Sequence, residues 1–236
     1  RKRRNCLYAA EIRPREVSMS LPVDLFWSFR SPYSYLATGR LAELQERYDL
    51  RVTLRIVQPL AIRDPEFFKR TNPLFAPYLL QDCQRVAEMN GIPYRWPQPD
   101  PVAMDLKTLN ISGDQPYIHR LSRLGVAAER EGLGLSFINE ISRIIFGGSC
   151  DGWDKGNHMA EASARAGLDL AQLDQSISHD PESFDTEIHD NEQALAAAGH
   201  WGVPTMVFEG EPFFGQDRIE LLLWRLKRNG LKERQS

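Results

Sequence analysis

Ser31-Pro32-Tyr33-Ser34 joins an apolar run, Val23-Asp24-Leu25-Phe26-Trp27-Ser28-Phe29, to a helix-patterned one, Tyr35-Leu36-Ala37-Thr38-Gly39-Arg40-Leu41-Ala42-Glu43-Leu44. A strand entering a helix through a tight turn that contains Pro is a place to hold an anion or a thiolate. The first-turn N–H groups lack intrahelical acceptors there, and the positive end of the helix dipole points outward. Neither Ser31 nor Ser34 can exchange disulfides, since neither carries sulfur, but a hydroxyl there can donate a hydrogen bond to the sulfur of another molecule. Ser34, one turn on, is expected to cap or pack against the helix.

The flanking pattern indicates how these groups are held. Val23 to Phe29 puts Leu25, Trp27 and Phe29 on one face and Asp24, Phe26 and Ser28 on the other, which suits a central strand covered on both sides. A helix from about Pro32 to Tyr48 follows, with Pro at an early position where its missing N–H costs little. Leu50 to Val57 alternates and is rich in β-branched residues, a second strand that must run parallel to the first through a right-handed crossover. From Pro59 to about Gly199 the pattern turns helical. Stripes run through Leu79-Leu80, Cys83 and Val86-Ala87; through Ile118, Leu121 and Leu124; and through Phe137-Ile138, Ile141 and Ile144-Ile145. A further helix is expected over Asp185–Ala198, and the Pro-dense stretch Pro93–Pro101 is a loop. Thr205-Met206-Val207-Phe208 is then a short strand, Glu209 to Pro212 a turn, and Pro212-Phe213-Phe214 opens an antiparallel strand. A last helix spans Ile219–Lys227, with Asp217 placed to cap it. The architecture is α/β with a helical insertion, divided as 1–18, 19–58, 59–199, 200–228 and a polar tail 229–236.

Composition excludes several classes. With 236 residues, 42% hydrophobic and 26% charged, the chain is an ordinary globular protein with one large domain or one domain and an insertion. A net charge of −3 offers no basic face for nucleic acid, and no apolar run reaches the length of a membrane span. Cys6, Cys83 and Cys150 are scattered and odd in number, so free thiols in a reducing, cytoplasmic compartment are expected. The five histidines, His119, His158, His179, His189 and His200, form no metal-ligand spacing, and no metal is expected. Residues 1–18 begin with Arg1-Lys2-Arg3-Arg4 and lack both a sustained apolar period and a secretory h-region. They are expected to be disordered or an upstream mis-extension, with the natural start at Met19.

Three segments now stand together: Phe29-Arg30-Ser31-Pro32-Tyr33-Ser34-Tyr35-Leu36-Ala37, Trp201-Gly202-Val203-Pro204-Thr205, and Phe214-Gly215-Gln216-Asp217-Arg218-Ile219-Glu220-Leu221-Leu222. The trio resembles the 2-hydroxychromene-2-carboxylate isomerases and kappa-class glutathione transferases, the branch of the DsbA-like thioredoxin superfamily without active-site cysteines. Ser31 to Ser34 stands where disulfide oxidoreductases of that architecture carry Cys-x-x-Cys. The resemblance runs from about Val23 to Leu226, matching the insertion only in outline. It implies a thioredoxin-like (DsbA-like) fold with an all-helical insertion, and glutathione as cofactor. Ser31 would then contact the glutathione sulfur, where a hydroxyl and a helix N-terminus favour thiolate over thiol. Gly202-Val203-Pro204-Thr205 resembles a cis-proline turn that leaves the Val203 N–H and C=O to pair with the cysteinyl segment as an added strand. Gln216 and Asp217 would hold the γ-glutamyl end, Asp217 facing its ammonium. Gln216 replaces a family Ser, so the contact there falls to its backbone N–H. Asn72, in Arg70-Thr71-Asn72-Pro73, matches a family Asn. The family lysine expected near Phe75 has no counterpart, and Lys69 and Arg70 are its possible substitutes. Arg30 replaces an apolar family residue and is open to favouring thiolate, to binding the carboxylate of an aromatic substrate, or to facing solvent. Tyr33, Trp27 and Trp201 would line the site or pack behind it.

The activity so implied is glutathione-dependent isomerisation of a conjugated aromatic compound. The rivals are a kappa-type transferase or peroxidase acting on an electrophile, and a non-catalytic thioredoxin-like module. Family members are often homodimers.

Overall fold

The computed structural model describes residues 20–105 and 107–234. The expectations for residues 1–18 and for a start at Met19 lie outside the described residues. The first strand, β1 (Leu21–Trp27), is followed by α1 (Pro32–Arg47) and β2 (Leu50–Ile56). β1 and β2 pair in parallel, from Leu21 opposite Leu50 to Trp27 opposite Ile56. The chain returns to this sheet only at β3 (Thr205–Phe208), which pairs antiparallel with β1 on its other side, and β4 (Glu211–Phe214) closes the order β2-β1-β3-β4.

The interior place of β1 explains its two apolar faces. Val23, Leu25 and Trp27 enter the main core with α1 and the inserted helices, while Phe26 packs with Val57 and Leu195 on the far side. Ser28 and Phe29 leave the strand, because pairing ends at Trp27, yet both stay buried as the chain bends toward Ser31.

Between β2 and β3 lie α2 (Leu60–Arg63), α3 (Phe67–Arg70), α4 (Phe75–Asn90), α5 (Ile118–Arg130), α6 (Gly134–Phe146), α7 (His158–Arg165), α8 (Leu170–His179) and α9 (Pro181–Ala197). The stripes of α5 and α6 face the core as their periodicity requires. α5 approaches β2 so closely that a Cβ at Gly125 would meet Ile56 at 2.8 Å, and Gly is what permits the contact. The short helices α7 and α8 were not legible in the stripe pattern, since each buries few apolar side chains. α9 starts four residues before the expected Asp185, capped by Asp180, which accepts the Ser183 N–H.

After β4, Gln216–Arg218 forms a 3₁₀ turn and then α10 (Ile219–Arg228). Asp217 is not the cap expected: its carboxylate pairs with Arg218 Nη1 at 2.8 Å, and neither helix start takes a side-chain cap. The polar segment after α10 does not hang free through Arg234. Arg47 binds Glu233, Arg234 donates to the Tyr48 carbonyl, and Asp49 N–H reaches the Lys232 carbonyl. Among the described residues no helix is long and apolar enough to cross a membrane.

Candidate active site

Ser31 is the N-cap of α1, in extended conformation with Pro32 at the first helical position. Its Oγ accepts the Ser34 N–H at 3.2 Å, as an N-cap should. The same hydroxyl donates to the Val203 carbonyl at 3.2 Å, across 172 residues of sequence. Pro32 has no N–H and Ser34 is capped, so the Tyr33 N–H is the first-turn donor left open beside the hydroxyl.

The Val203-Pro204 bond is cis. Within this turn Trp201 C=O accepts Arg63 Nη2 at 2.9 Å, Gly202 N–H donates to His200 Nδ1 at 2.9 Å, and Gly202 C=O accepts Thr205 Oγ1 at 2.7 Å. The Val203 carbonyl, expected free, takes Ser31. Its N–H makes no hydrogen bond among the described residues. The third segment is tied on by Gly215, whose N–H reaches the Pro204 carbonyl at 2.9 Å. Gly215 has φ 108°, so the turn that carries Asp217 needs glycine, and a Cβ there would displace the exposed Asp217 carboxylate, 2.5 Å away. Ser31, Val203, Pro204 and the Gly215–Asp217 turn are therefore one connected assembly.

Within it the side chains differ in availability. Gln216 is buried, with its carbonyl and Oε1 both turned to Arg40 of α1, so its backbone N–H and its side-chain NH2 are the donors that remain for a ligand. Asp217 is exposed on its ion pair with Arg218. Asn72 is exposed and spends Oδ1 on the Leu74 N–H at the start of α4, without a hydrogen bond to Ser31, Val203 or Asp217. The proposed substitutes for the family lysine are both paired, Lys69 with Glu66 and Arg70 with Asp64.

Arg30 does not face solvent. It makes two parallel hydrogen bonds to Asp100, at 2.9 and 3.0 Å, and its side chain is only 9% exposed. Its guanidinium stands 5.5 Å from the Trp96 ring centroid and 6.0 Å from that of Phe68. Trp27 belongs to the core, fully buried with Nε1 donating to Thr38. The Tyr33 hydroxyl donates to Asp82 at 2.6 Å, and burial followed by that bond pushes its pKa far above the ordinary phenol value, so it remains protonated. Ser34 is fully buried and its hydroxyl finds no partner among the described residues, which fits packing. Trp201 is 52% exposed, in ring contact with Phe67 of α3 and stacked on His200.

Three residues that shape the site escaped the sequence: Asp100, Arg63 and His200. Asp100 sits in a Pro-dense loop and Arg63 binds backbone carbonyls, so neither has a spacing signal. His200 precedes a Trp-Gly-Val-Pro stretch, the one local hint available. A cavity of about 470 Å³ lies elsewhere, between α7 and α8, and includes none of these groups.

The parallel β1-α1-β2 unit, the antiparallel β3-β4 pair, and a helix N-terminus facing a cis-proline turn define a thioredoxin-type scaffold. The model of the DSBA-like thioredoxin domain matches residues 22–227, and the chain belongs to that family. It is 26% identical over 207 residues to a 2-hydroxychromene-2-carboxylate isomerase of Pseudomonas putida, covering 85% of this chain and 91% of the relative. The protein of the same name from Pseudomonas sp. (strain C18) is also 26% identical, over 85% of this chain and 87% of its own. A solved 2-hydroxychromene-2-carboxylate isomerase superposes with a TM-score of 0.64 at 24% identity, covering 89% of this chain and 96% of the other.

Proposed function

We propose that the protein is a glutathione-dependent isomerase acting on a conjugated aromatic compound of the 2-hydroxychromene-2-carboxylate type, in a reducing, cytoplasmic setting. The observation that carries the reading is the Ser31 hydroxyl at the mouth of α1, 3.2 Å from the carbonyl of the cis Val203-Pro204 turn. The donor set fits a tripeptide thiol: an open Val203 N–H for a strand-like backbone, an open Tyr33 N–H at a helix start, and a rotatable hydroxyl. When bound, glutathione supplies a thiolate that adds reversibly to a conjugated carbon, so that a double bond becomes a rotatable single bond until elimination restores it.

The protein's part is to ionise and aim the sulfur. Val203 N–H and C=O pair with the ligand backbone. A ligand N–H on the Val203 carbonyl frees the Ser31 proton, which turns about the Cβ–Oγ bond toward the sulfur without moving the oxygen. Hydroxyl and helix terminus together then pull a thiol from its usual pKa of about 8.5 toward neutrality or below. The Asp217 carboxylate faces the ligand ammonium and the Gln216 N–H its carboxylate, with Asn72 as a further ligand contact by its match to the family Asn.

Titration calorimetry with glutathione, on the wild type and Ser31→Ala, tests this. Binding is expected at millimolar concentration or tighter. Thiolate absorbance of the bound ligand should titrate roughly one pH unit higher in Ser31→Ala, the worth of one charge-assisted hydrogen bond. No binding at millimolar glutathione would remove the thiolate mechanism. Product analysis with 2-hydroxychromene-2-carboxylate then separates isomerisation from conjugation.

A further inference from the structure

From the Trp201 carbonyl to the Val203 carbonyl, each backbone polar group but one has a partner among the described residues: Arg63, His200, Thr205 and Ser31 take four of them. The exception is the Val203 N–H. The group that aims it is the peptide immediately before, and that peptide is held by an imidazole. His200 Nδ1 accepts the Gly202 N–H at 2.9 Å, which places the ring proton of the neutral form on Nε2. The ring itself is fixed by stacking, 4.0 Å from the Phe214 ring centroid and 5.6 Å from that of Trp201, at interplanar angles of 23° and 14°. Gly202 beneath it is buried, and a Cβ there would meet Phe214 Cε2 at 2.5 Å and His200 Cε1 at 3.2 Å. The turn is therefore built around an unprotonated Nδ1.

We propose that neutral His200 is a positioning residue, which aims the Val203 N–H at an incoming ligand strand and releases it when the ring is protonated. The ligand class rests on the glutathione reading above; the hydrogen bond and its loss do not. An imidazolium carries N–H at both nitrogens, so the Gly202 N–H would face a donor instead of an acceptor. With both donors unsatisfied and the ring stacked on Phe214 and Trp201, relief comes from a shift of the turn. The groups facing the ring are Phe214 from β4 and Trp201 and Gly202 from its own turn. Charged groups on the neighbouring elements include Arg63 on the Trp201 carbonyl, Glu192 of α9 on the Gln58 N–H, Glu211 of β4 paired with Arg225, Lys69 paired with Glu66 and Arg70 paired with Asp64 at α3, and the Asp217–Arg218 pair after β4. Burial also draws the imidazole pKa below its ordinary value.

The test uses S-methylglutathione, which has no ionisable thiol, with calorimetry between about pH 7.5 and pH 5 and ¹⁵N NMR of the Gly202 amide. Wild-type affinity should fall about tenfold as His200 is protonated, the worth of one unsatisfied buried donor. His200→Asn, whose Oδ1 replaces the acceptor but does not titrate, should bind with a flat pH profile; His200→Ala should bind weakly throughout. The Gly202 amide shift should titrate in the wild type and not in His200→Asn, whether or not the peptide binds. Equal pH profiles in wild type and His200→Asn, or a Gly202 amide indifferent to pH, would overturn the proposal. Absence of binding at every pH with a titrating Gly202 amide leaves the device standing and removes the glutathione reading alone.

Discussion

The Ser31 oxygen accepts one hydrogen bond from its own helix and donates its proton to a distant carbonyl. Its removal therefore has two separable effects. Ser31→Ala should cost about 1 kcal/mol of stability through loss of the cap, apart from any change in ligand chemistry. Ser34, three residues on, behaves in the opposite sense. Its hydroxyl is fully buried without a partner among the described residues, while its N–H is already capped. Ser34→Ala should leave ligand affinity unchanged and raise stability by up to about 1 kcal/mol, because an unsatisfied hydroxyl is removed at constant backbone geometry. Urea unfolding of the two variants side by side checks both. A Ser34→Ala protein less stable than wild type would mean that the hydroxyl has a partner after all.

Among the elements, α5 links the sheet to the insertion, and it carries a carboxyl in an unfavourable place. Glu129 is half-buried near its C-terminal end, packed against Gly134. Burial raises its pKa from 4.5 to about 7, against the opposing pull of the Leu54 N–H and Arg55. A folded-state pKa above the unfolded one means that the protonated form favours the native state. That contribution is complete below pH 4.5 and is lost as pH rises through about 7. Glu129→Gln keeps an acceptor for the Leu54 N–H and carries no charge. It should therefore unfold at a higher temperature than wild type above about pH 7, and converge with it toward pH 4.5. Identical melting curves for the two proteins at both ends of that range would refute the assignment. The edges of elements follow the same local chemistry: α8 and α9 begin where Asp169 and Asp180 accept first-turn N–H groups.

Over the whole molecule, the Arg30–Asp100 pair fastens the turn before Ser31 to the loop after α4. Side-chain exposures of 9% and 19% mean that neither charge is well solvated without the other. Asp100→Ala should cost about 3 kcal/mol, since it strands a charge in a low-dielectric place, whereas the double variant Arg30→Leu, Asp100→Leu should recover much of that loss. Denaturant unfolding of the single and double variants decides; additive losses would show that the pair is not coupled. Such a contact marks the boundary of what could be read from the chain. Alternation over Leu50–Ile56, the two-faced run of β1, the stripes of α5 and α6 and the Ser-Pro start of α1 are local signals, set by which side chains must leave water and which N–H groups need caps. By itself, then, the sequence determined the strands, the long helices and the segments able to carry the chemistry. Tertiary structure alone decided which groups remain available. Arg30 is consumed by a residue 70 positions away, Arg63 by one 138 away, and the Ser31 hydroxyl meets a carbonyl 172 away. Hydrogen bonds and ion pairs of that span depend on where the sheet and the inserted helices bring two distant points together, and no periodicity along the chain encodes it.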